Sequence, residues 1–517
     1  MEKNLTYAQI DKLAQRIIPH LRIHLNQHLP LSLTLDETYR LTAPWLYSFL
    51  DLSNKAFLVC TLQSNNSSLY RTRDSTLQIP NYYGFLQWKL LIQQYPELIF
   101  DTLYKSINQF LYEVTKIESV QYFTPRYRLP APPFSLVRKA FFAVNYFLER
   151  IYLFFNKSPQ IALFQVPLPF RLRTRLLFLH GVFDFLTLFN DCELSSSSCD
   201  RSYKNFLDGK LIPSNEYENW LSRYLYYFIP VAFTREITKI ASHCESLFNA
   251  NVIIADSLHM RHELFNFWTI LCSRNTGSYN YILPHGGGTS VNFNNEYDRQ
   301  INGHNPTCVP NVKIFVSNNL HNLPSQKTSN LIALILPPDA YVDARQESCA
   351  SDYIQYSDNQ ARIYRLARAI VEYGFSLVLR PYPHGSLLFE SLQKQLDRDN
   401  IPYSVSRPYA EPFATLLTKT AANVCTYPET CFSEALAVNI NTVHFVCRTY
   451  KSYYNYNAIH ALQDAGMWFD SIEQLKRFLN SLSSSSSLRA NARNAWLESI
   501  NVGTEDQFVK WISLLKR

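Results

Sequence analysis

Glycine is scarce in this chain. Only 12 of 517 residues are glycine, about 2% against the ~7% of ordinary proteins, so each one is more tightly tied to its place. Glycine-rich nucleotide loops of the usual kinds are missing as well. No Gly-Lys-Ser/Thr follows any glycine run and no G-x-G-x-x-G occurs, which excludes a Walker A loop and a Rossmann fingerprint. The ten cysteines form no C-x-x-C pair, which excludes a zinc ribbon and a thioredoxin-type motif. No uncharged apolar run reaches the ~20 residues of a membrane span. The first residues, MEKNLTYAQIDKLAQR, contain no apolar h-region, so no secretory signal is expected. The cysteines then read as reduced, mostly buried thiols of a cytosolic protein. With 47% hydrophobic and 18% charged residues, the chain is not intrinsically disordered.

What the chain has in excess is aromatic: 34 Phe, 34 Tyr and 7 Trp, 15% of the residues. Its charge is uneven. The net charge is +7, yet between Tyr122 and Arg175 nine basic residues face a single acid, Glu149. That span also holds FFAVNYFLERIYLFF. A basic aromatic surface suits an anionic membrane interface or a polyanionic acceptor, and a core helix with solvated arginines is the plainer alternative. No nucleic-acid motif accompanies it, and no nucleic-acid partner is expected.

The scarce glycines include one run of three, Gly286, Gly287 and Gly288, a run that chance would give in about one such chain in a hundred or fewer. It stands in Pro284-His285-Gly286-Gly287-Gly288-Thr289-Ser290, directly after the strand-like YNYIL. Consecutive glycines let backbone N–H groups cradle an anion, and His285 is placed to donate to a phosphate or protonate a leaving group. A tight turn with a capping histidine is the structural alternative. A second element, Arg380-Pro381-Tyr382-Pro383-His384, follows the strand-like FSLVL, and Arg380 and His384 there suit a phosphate or diphosphate. A third is Thr426-Tyr427-Pro428-Glu429-Thr430-Cys431-Phe432-Ser433-Glu434. A helix beginning near Thr430 turns its free N–H groups toward a phosphate, with Thr430 and Ser433 near the nucleotide and Glu434 toward the ribose. Ordinary capping is the alternative there. A fourth is Asp256, closing NVIIAD, followed by His259, His262 and Glu263. Asp256 fits a base or nucleophile at a sugar carbon, and fits equally a helix N-cap. The order H-x-x-H-E is not that of the zincins, and no metal site is expected.

The segments order themselves. Residues 1–120 read as mostly helical, with one strand expected at Lys55–Cys60, and Asn215–Cys244 reads as helix. IALFQVP, NVIIADS, YNYIL, KIFVSN, LIALIL, FSLVL, IPYSVS, ANVCT and NTVHFV read as strands alternating with helices, which calls for parallel sheets. The expected architecture is α/β, with two doubly wound Rossmann-like domains facing across a cleft and a helical N-terminal extension. The expected divisions are 1–310 on the acceptor side, 311–480 for the nucleotide, and 481–517 as a Ser-rich break with a terminal helix.

Taken together, these motifs resemble a family of bacterial transferases found with surface-sugar genes. The resemblance rests on Tyr39-Arg40-Leu41-Thr42-Ala43-Pro44-Trp45-Leu46, on the strand-His-Gly-Gly-Gly turn and on Asn292-Phe293-Asn294-Asn295-Glu296. The segments Arg-Pro-Tyr-Pro-His and Pro-Glu-Thr…Ser-Glu-Ala-Leu resemble GT-B glycosyltransferases, and in pattern the β-Kdo transferases that use CMP-Kdo. The chain departs from the family in having Thr289-Ser290 where Tyr-Gly is usual, and Ile301-Asn302-Gly303-His304 where a Trp-Gly-Trp segment is usual. The resemblance implies a metal-independent glycosyltransferase with a nucleotide-sugar as co-substrate and no resident cofactor. Asp256, His285 and Glu263 would stand at the reacting carbon, and Gly286–Gly288, Arg380, His384, Thr430, Ser433 and Glu434 would hold the donor. The acceptor would be a surface glycan or lipid-linked sugar. A CDP-alcohol phosphotransferase-like polymerase on the same fold and a non-catalytic envelope scaffold are the competing readings.

Overall fold

The structure is a computed structural model. It describes residues 5, 7–64, 76–111, 119–123, 135–156, 158–164, 166, 168, 170–186, 211–234, 236–256, 262–283, 329–337, 356–382, 387–408, 410–427, 430–446, 456–482, 487–500 and 502–516. It is a mixed α/β protein with parallel sheets and many helices. The chain divides into two compact units, Met1–Val166 with Arg175–Tyr281 and Pro167–Thr174 with Ile282–Arg517. The boundary expected at residue 310 and the expected strand KIFVSN lie outside the described residues.

The first unit is built around α1 (Tyr7–Asn26) and α2 (Leu35–Ser64). Buried Ile10, Leu13, Ala14, Ile17, Ile18 and Leu21 give α1 one apolar stripe at helical spacing. A capping box starts α2: the Thr34 N–H donates to Glu37 Oε2 at 2.7 Å and the Glu37 N–H to Thr34 Oγ1 at 3.3 Å. The strand expected at Lys55–Cys60 is instead the last third of this 30-residue helix. Ala56, Phe57, Leu58 and Cys60 are all buried, and burial on several sides hides the 3.6-residue period that would have marked a helix. Lys55 pairs with Asp51 one turn back, a helical spacing.

The aromatic excess goes into this unit's core. Trp45, Phe49, Trp88 and Trp220 are buried, with Phe49 stacked on both Trp45 and Trp220. A parallel pair, β1 (Thr76–Pro80) and β2 (Ser119–Phe123), is joined through α3 (Phe85–Gln94) and α4 (Pro96–Leu111). The helical segment after it is α5 (Ser135–Phe155). A four-stranded sheet follows in the order β4-β3-β5-β6, from β3 (Ile161–Phe164), β4 (Phe183–Phe185), β5 (Val252–Asp256) and β6 (Tyr279–Leu283). Its β3–β4 and β3–β5 pairs are parallel. The other helices here are α6 (Phe170–His180), α7 (Glu216–Tyr224), α8 (Ile237–Glu245) and α9 (Glu263–Thr276), and Phe265 of α9 stacks on Phe164 of β3. The single helix expected over Asn215–Cys244 is therefore two helices. Two short 3₁₀ turns, Leu225–Phe228 and Val231–Phe233, part them around Pro230, which cannot donate within a helix.

The second unit is a six-stranded parallel sheet in the order β12-β11-β10-β7-β8-β9. Its strands are β7 (Leu331–Ile335), β8 (Ser376–Arg380), β9 (Ser404–Val405), β10 (Ala422–Cys425), β11 (Thr442–Phe445) and β12 (Trp468–Phe469). Its helices are α10 (Tyr356–Glu372), α11 (Leu387–Arg398), α12 (Phe413–Lys419), α13 (Thr430–Val438), α14 (Tyr456–Asp464), α15 (Ile472–Asn480), α16 (Ser487–Ser499) and α17 (Glu505–Leu515). The fully buried run Ile332–Leu336 reads as a central strand. The chain starts in the middle at β7, steps outward to β9, returns to the centre at β10 and steps out the other way. A sheet wound in both directions has a switch point, here between β7 and β10.

Candidate functional site

Ligands of doubly wound sheets bind outside the carboxyl ends of the strands beside the switch point. In the second unit those ends are Ile335 and Cys425. Thr426 pins them together: its N–H and its Oγ1 both donate to the Ile335 carbonyl, at 3.1 and 2.8 Å. From this floor the chain enters α13, whose first N–H groups have no intrahelical acceptor and present partial positive charge. Thr430 opens α13 and Glu434 lies one turn on, so the two half-buried side chains share a face. Ser433 falls on another face. It is fully buried and its hydroxyl accepts the Trp496 indole N–H at 2.9 Å. This bond holds α13 to α16.

Arg380 ends β8, the neighbour of β7 on its other side. Its guanidinium is buried, and Nη1 donates to Ser406 Oγ at 2.8 Å and to the Glu411 carbonyl at 2.9 Å. Phe413 lies beneath it, 5.6 Å from ring centre to guanidinium carbon. Burial lowers its pKa, opposed by the Glu411 charge, and an arginine remains charged regardless. Glu411 also accepts from Lys419 at 2.8 Å and from Ser406 at 2.6 Å, and these bonds hold its carboxyl below the usual range. His384 lies outside the described residues.

In the first unit Asp256 ends β5, a carboxyl-end position as expected, though nothing beyond its backbone is described. His285 and Gly286–Gly288 lie outside the described residues. Glu263 is described in full and is not at a surface. It is 4% exposed, and its Oε1 accepts the N–H of Phe85, the first residue of α3. Two helix starts, those of α3 and α9, therefore meet at one carboxyl. Burial raises its pKa to about 7, against the opposing hydrogen bonds from Phe85 and from its own N–H. This environment joins α9 to α3. Sequence reasoning missed its counterpart, Gly84. A Cβ there would stand 2.5 Å from Glu263 Cδ and Oε2 and 2.6 Å from Oε1. Glycine scarcity was the available signal, since a glycine outside a turn motif in so glycine-poor a chain marks a close approach.

The Tyr39–Leu46 element is likewise a packing device. Trp45 and Leu46 are fully buried, Trp45 Nε1 donates to Tyr82 Oη at 3.2 Å, and the Tyr39 hydroxyl donates to Asp11 Oδ1 at 3.0 Å. Among the described residues no group of three or more His, Cys, Asp or Glu is placed to hold a metal ion. No described helix is long and apolar enough to cross a membrane.

No curated protein matches this chain. The solved OtsA apo structure aligns with 54% of this chain and 76% of its own at 11% identity, with a TM-score of 0.33, too slight a likeness to carry an argument. A family model matches nearly the whole sequence, residues 2–489, and by that match the chain belongs to the LIC12162 family of transferases.

Proposed function

We propose that this transferase is a GT-B-type glycosyltransferase. It would move a sugar from a nucleotide-activated donor, of the CMP-Kdo or related CMP-ulosonic acid kind, to a cell-surface glycan or lipid-linked acceptor on the cytoplasmic side of a bacterial envelope. The observation that carries the reading is the switch point of the second unit's sheet, with the start of α13 at the carboxyl end of β10. The N–H groups there hold the donor phosphate, Glu434 takes the ribose hydroxyls, and His384 balances the phosphate without a bound metal. Arg380 itself works mainly by fixing the Ser406–Glu411 turn. Asp256 is the proposed base for the acceptor hydroxyl, and His285 and Gly286–Gly288 are the proposed groups for the reacting carbon. The new C–O bond forms as the bond from sugar carbon to phosphate oxygen breaks. The proton passes to Asp256 and the electron pair leaves on the phosphate.

A thermal-shift screen of the full chain with CMP, CDP, UDP and GDP tests the donor half. Ligand at a hundredfold excess over Kd adds about 2.7 kcal/mol to stability. The expected result is a shift with one nucleotide that shrinks in Glu434→Ala. No shift with any of the four, or an unchanged shift in that variant, would overturn the assignment.

A further inference from the structure

Helix α5 is amphipathic the wrong way round. Its acid, Glu149, is buried and accepts the Leu186 N–H at 2.6 Å. Its apolar stripe, Val144, Phe147, Leu148, Ile151, Phe154 and Phe155, faces out, with Phe154 and Phe155 77% and 76% exposed. These positions recur at intervals of three and four, so they form one continuous face along the helix. The Tyr152 hydroxyl, on the inward side, donates to the Gly181 carbonyl at 2.7 Å. This places the end of α6 nearby, where Phe178 and Leu179 are also exposed. Of the sixteen large hydrophobic side chains exposed among the described residues, ten lie on α5 and α6. Scattered exposed apolar residues need no explanation, whereas a concentration on two adjoining helices does.

The charges around the stripe select its occupant. Glu149 is the single acid of the sequence between Tyr122 and Arg175 and is turned inward, while among the described residues of that span Arg150, Arg171 and Arg175 are exposed. The Arg150 guanidinium lies 5.0 Å from the Tyr146 ring centre, a cation on an aromatic rim. A second copy of the chain, docked by the same face, would set these arginines against their own kind. An anionic lipid surface accepts the apolar stripe into its acyl boundary and the arginines at its headgroups. We infer that α5, with the end of α6, is an in-plane anchor that seats this protein on an anionic membrane leaflet. The stripe runs from Val144 to Phe155, about 18 Å of helix, and with its apolar residues along one side that stretch lies flat on the leaflet rather than through it.

The test is co-sedimentation of the full chain with vesicles of pure phosphatidylcholine and of phosphatidylcholine mixed with phosphatidylglycerol, at low and high salt. Wild type should pellet with the mixed vesicles at low salt, weakly with the neutral ones, and less as salt rises. Arg150→Glu/Arg175→Glu should weaken partitioning by about 25-fold or more, at roughly fivefold per basic residue. Phe154→Ser/Phe155→Ser should weaken it at least about tenfold, with an unchanged thermal midpoint because both side chains are exposed. Failure of wild type to bind the mixed vesicles at low salt would overturn the inference. So would equal binding by both variants, or a dimer in size-exclusion light scattering that the Phe154/Phe155 variant dissolves while vesicle binding is absent.

Discussion

Adding one methyl group at Gly84 should cost stability in wild type and raise it once Glu263 is shortened. The backbone at Gly84 is extended, φ −157° and ψ −164°, a region open to alanine, so strain of the main chain plays no part. The cost is contact alone: the new Cβ would meet the Glu263 carboxyl at 2.5 Å. Glu263 is buried and bound to the Phe85 N–H, so it has little room to withdraw. Overpacking of this kind costs about 1–3 kcal/mol. If the carboxyl swings aside instead, the Phe85 N–H loses its partner at a similar cost of about 1–3 kcal/mol. Gly84→Ala should therefore destabilise by about 2 kcal/mol. In a Glu263→Ala background the clash is gone, and the reduced freedom of the unfolded chain should make the same substitution stabilising by about 0.5 kcal/mol. Urea unfolding followed by tryptophan fluorescence reads this directly, since Trp45 and Trp88 are buried in the same unit. An additive cycle, or a Gly84→Ala protein as stable as wild type, would refute the steric account.

Two further outcomes follow from the same geometry. Because the folded pKa of Glu263 is raised from 4.5 to about 7, the folded state binds more protons than the unfolded one in that window. Its contribution to stability is present at low pH and lost as pH rises through about 7, by about 3 kcal/mol in total. Glu263→Gln, which can still accept from Phe85, should flatten the fall in urea midpoint across that window and exceed wild type in stability above it. A wild-type midpoint independent of pH there would contradict the burial argument. Ser433→Ala should lower the stability of the second unit by about 1–3 kcal/mol, because the buried Trp496 N–H loses its acceptor. Calorimetric titration should find nucleotide affinity unchanged, and a loss of affinity without loss of stability would place Ser433 at the ligand.

The second unit was largely legible because its elements are bounded by strong punctuation. LIALIL stops at Pro337, α10 gives way to Gly374, and the helix expected to begin near Thr430 does begin there. The first unit was less so. There an aromatic-rich chain buries helices on several sides, and KAFLVC, with no polar face to betray its period, looked like a strand. Among the described residues the short strands β1 and β2 form a two-stranded sheet, and five residues in a helical region carry no alternation strong enough to separate them. At the candidate site, the strand-end positions of Asp256 and Arg380 could be read from the apolar runs before them. The inward turn of Ser433 and the burial of Glu263 could not. Each depends on a partner far along the chain, Trp496 for one and Gly84–Phe85 for the other. Local sequence shows which residue opens a helix, while the tertiary fold decides which way its next turn faces.

The strand order also bears on how the second unit is made during synthesis. β7 is the central strand, yet only β8, on one side of it, follows soon in the chain, and its other neighbour, β10, begins at Ala422. A ribosome that has delivered β9 has produced a three-stranded apolar sheet whose inner edge, Ile332–Ile335, is bare. Parallel pairings of this span form slowly, and an open apolar edge is a template for the wrong partner. A chain cut anywhere before Ala422 would keep that edge exposed for good. Truncations from the carboxyl end should therefore yield aggregates rather than a smaller folded unit.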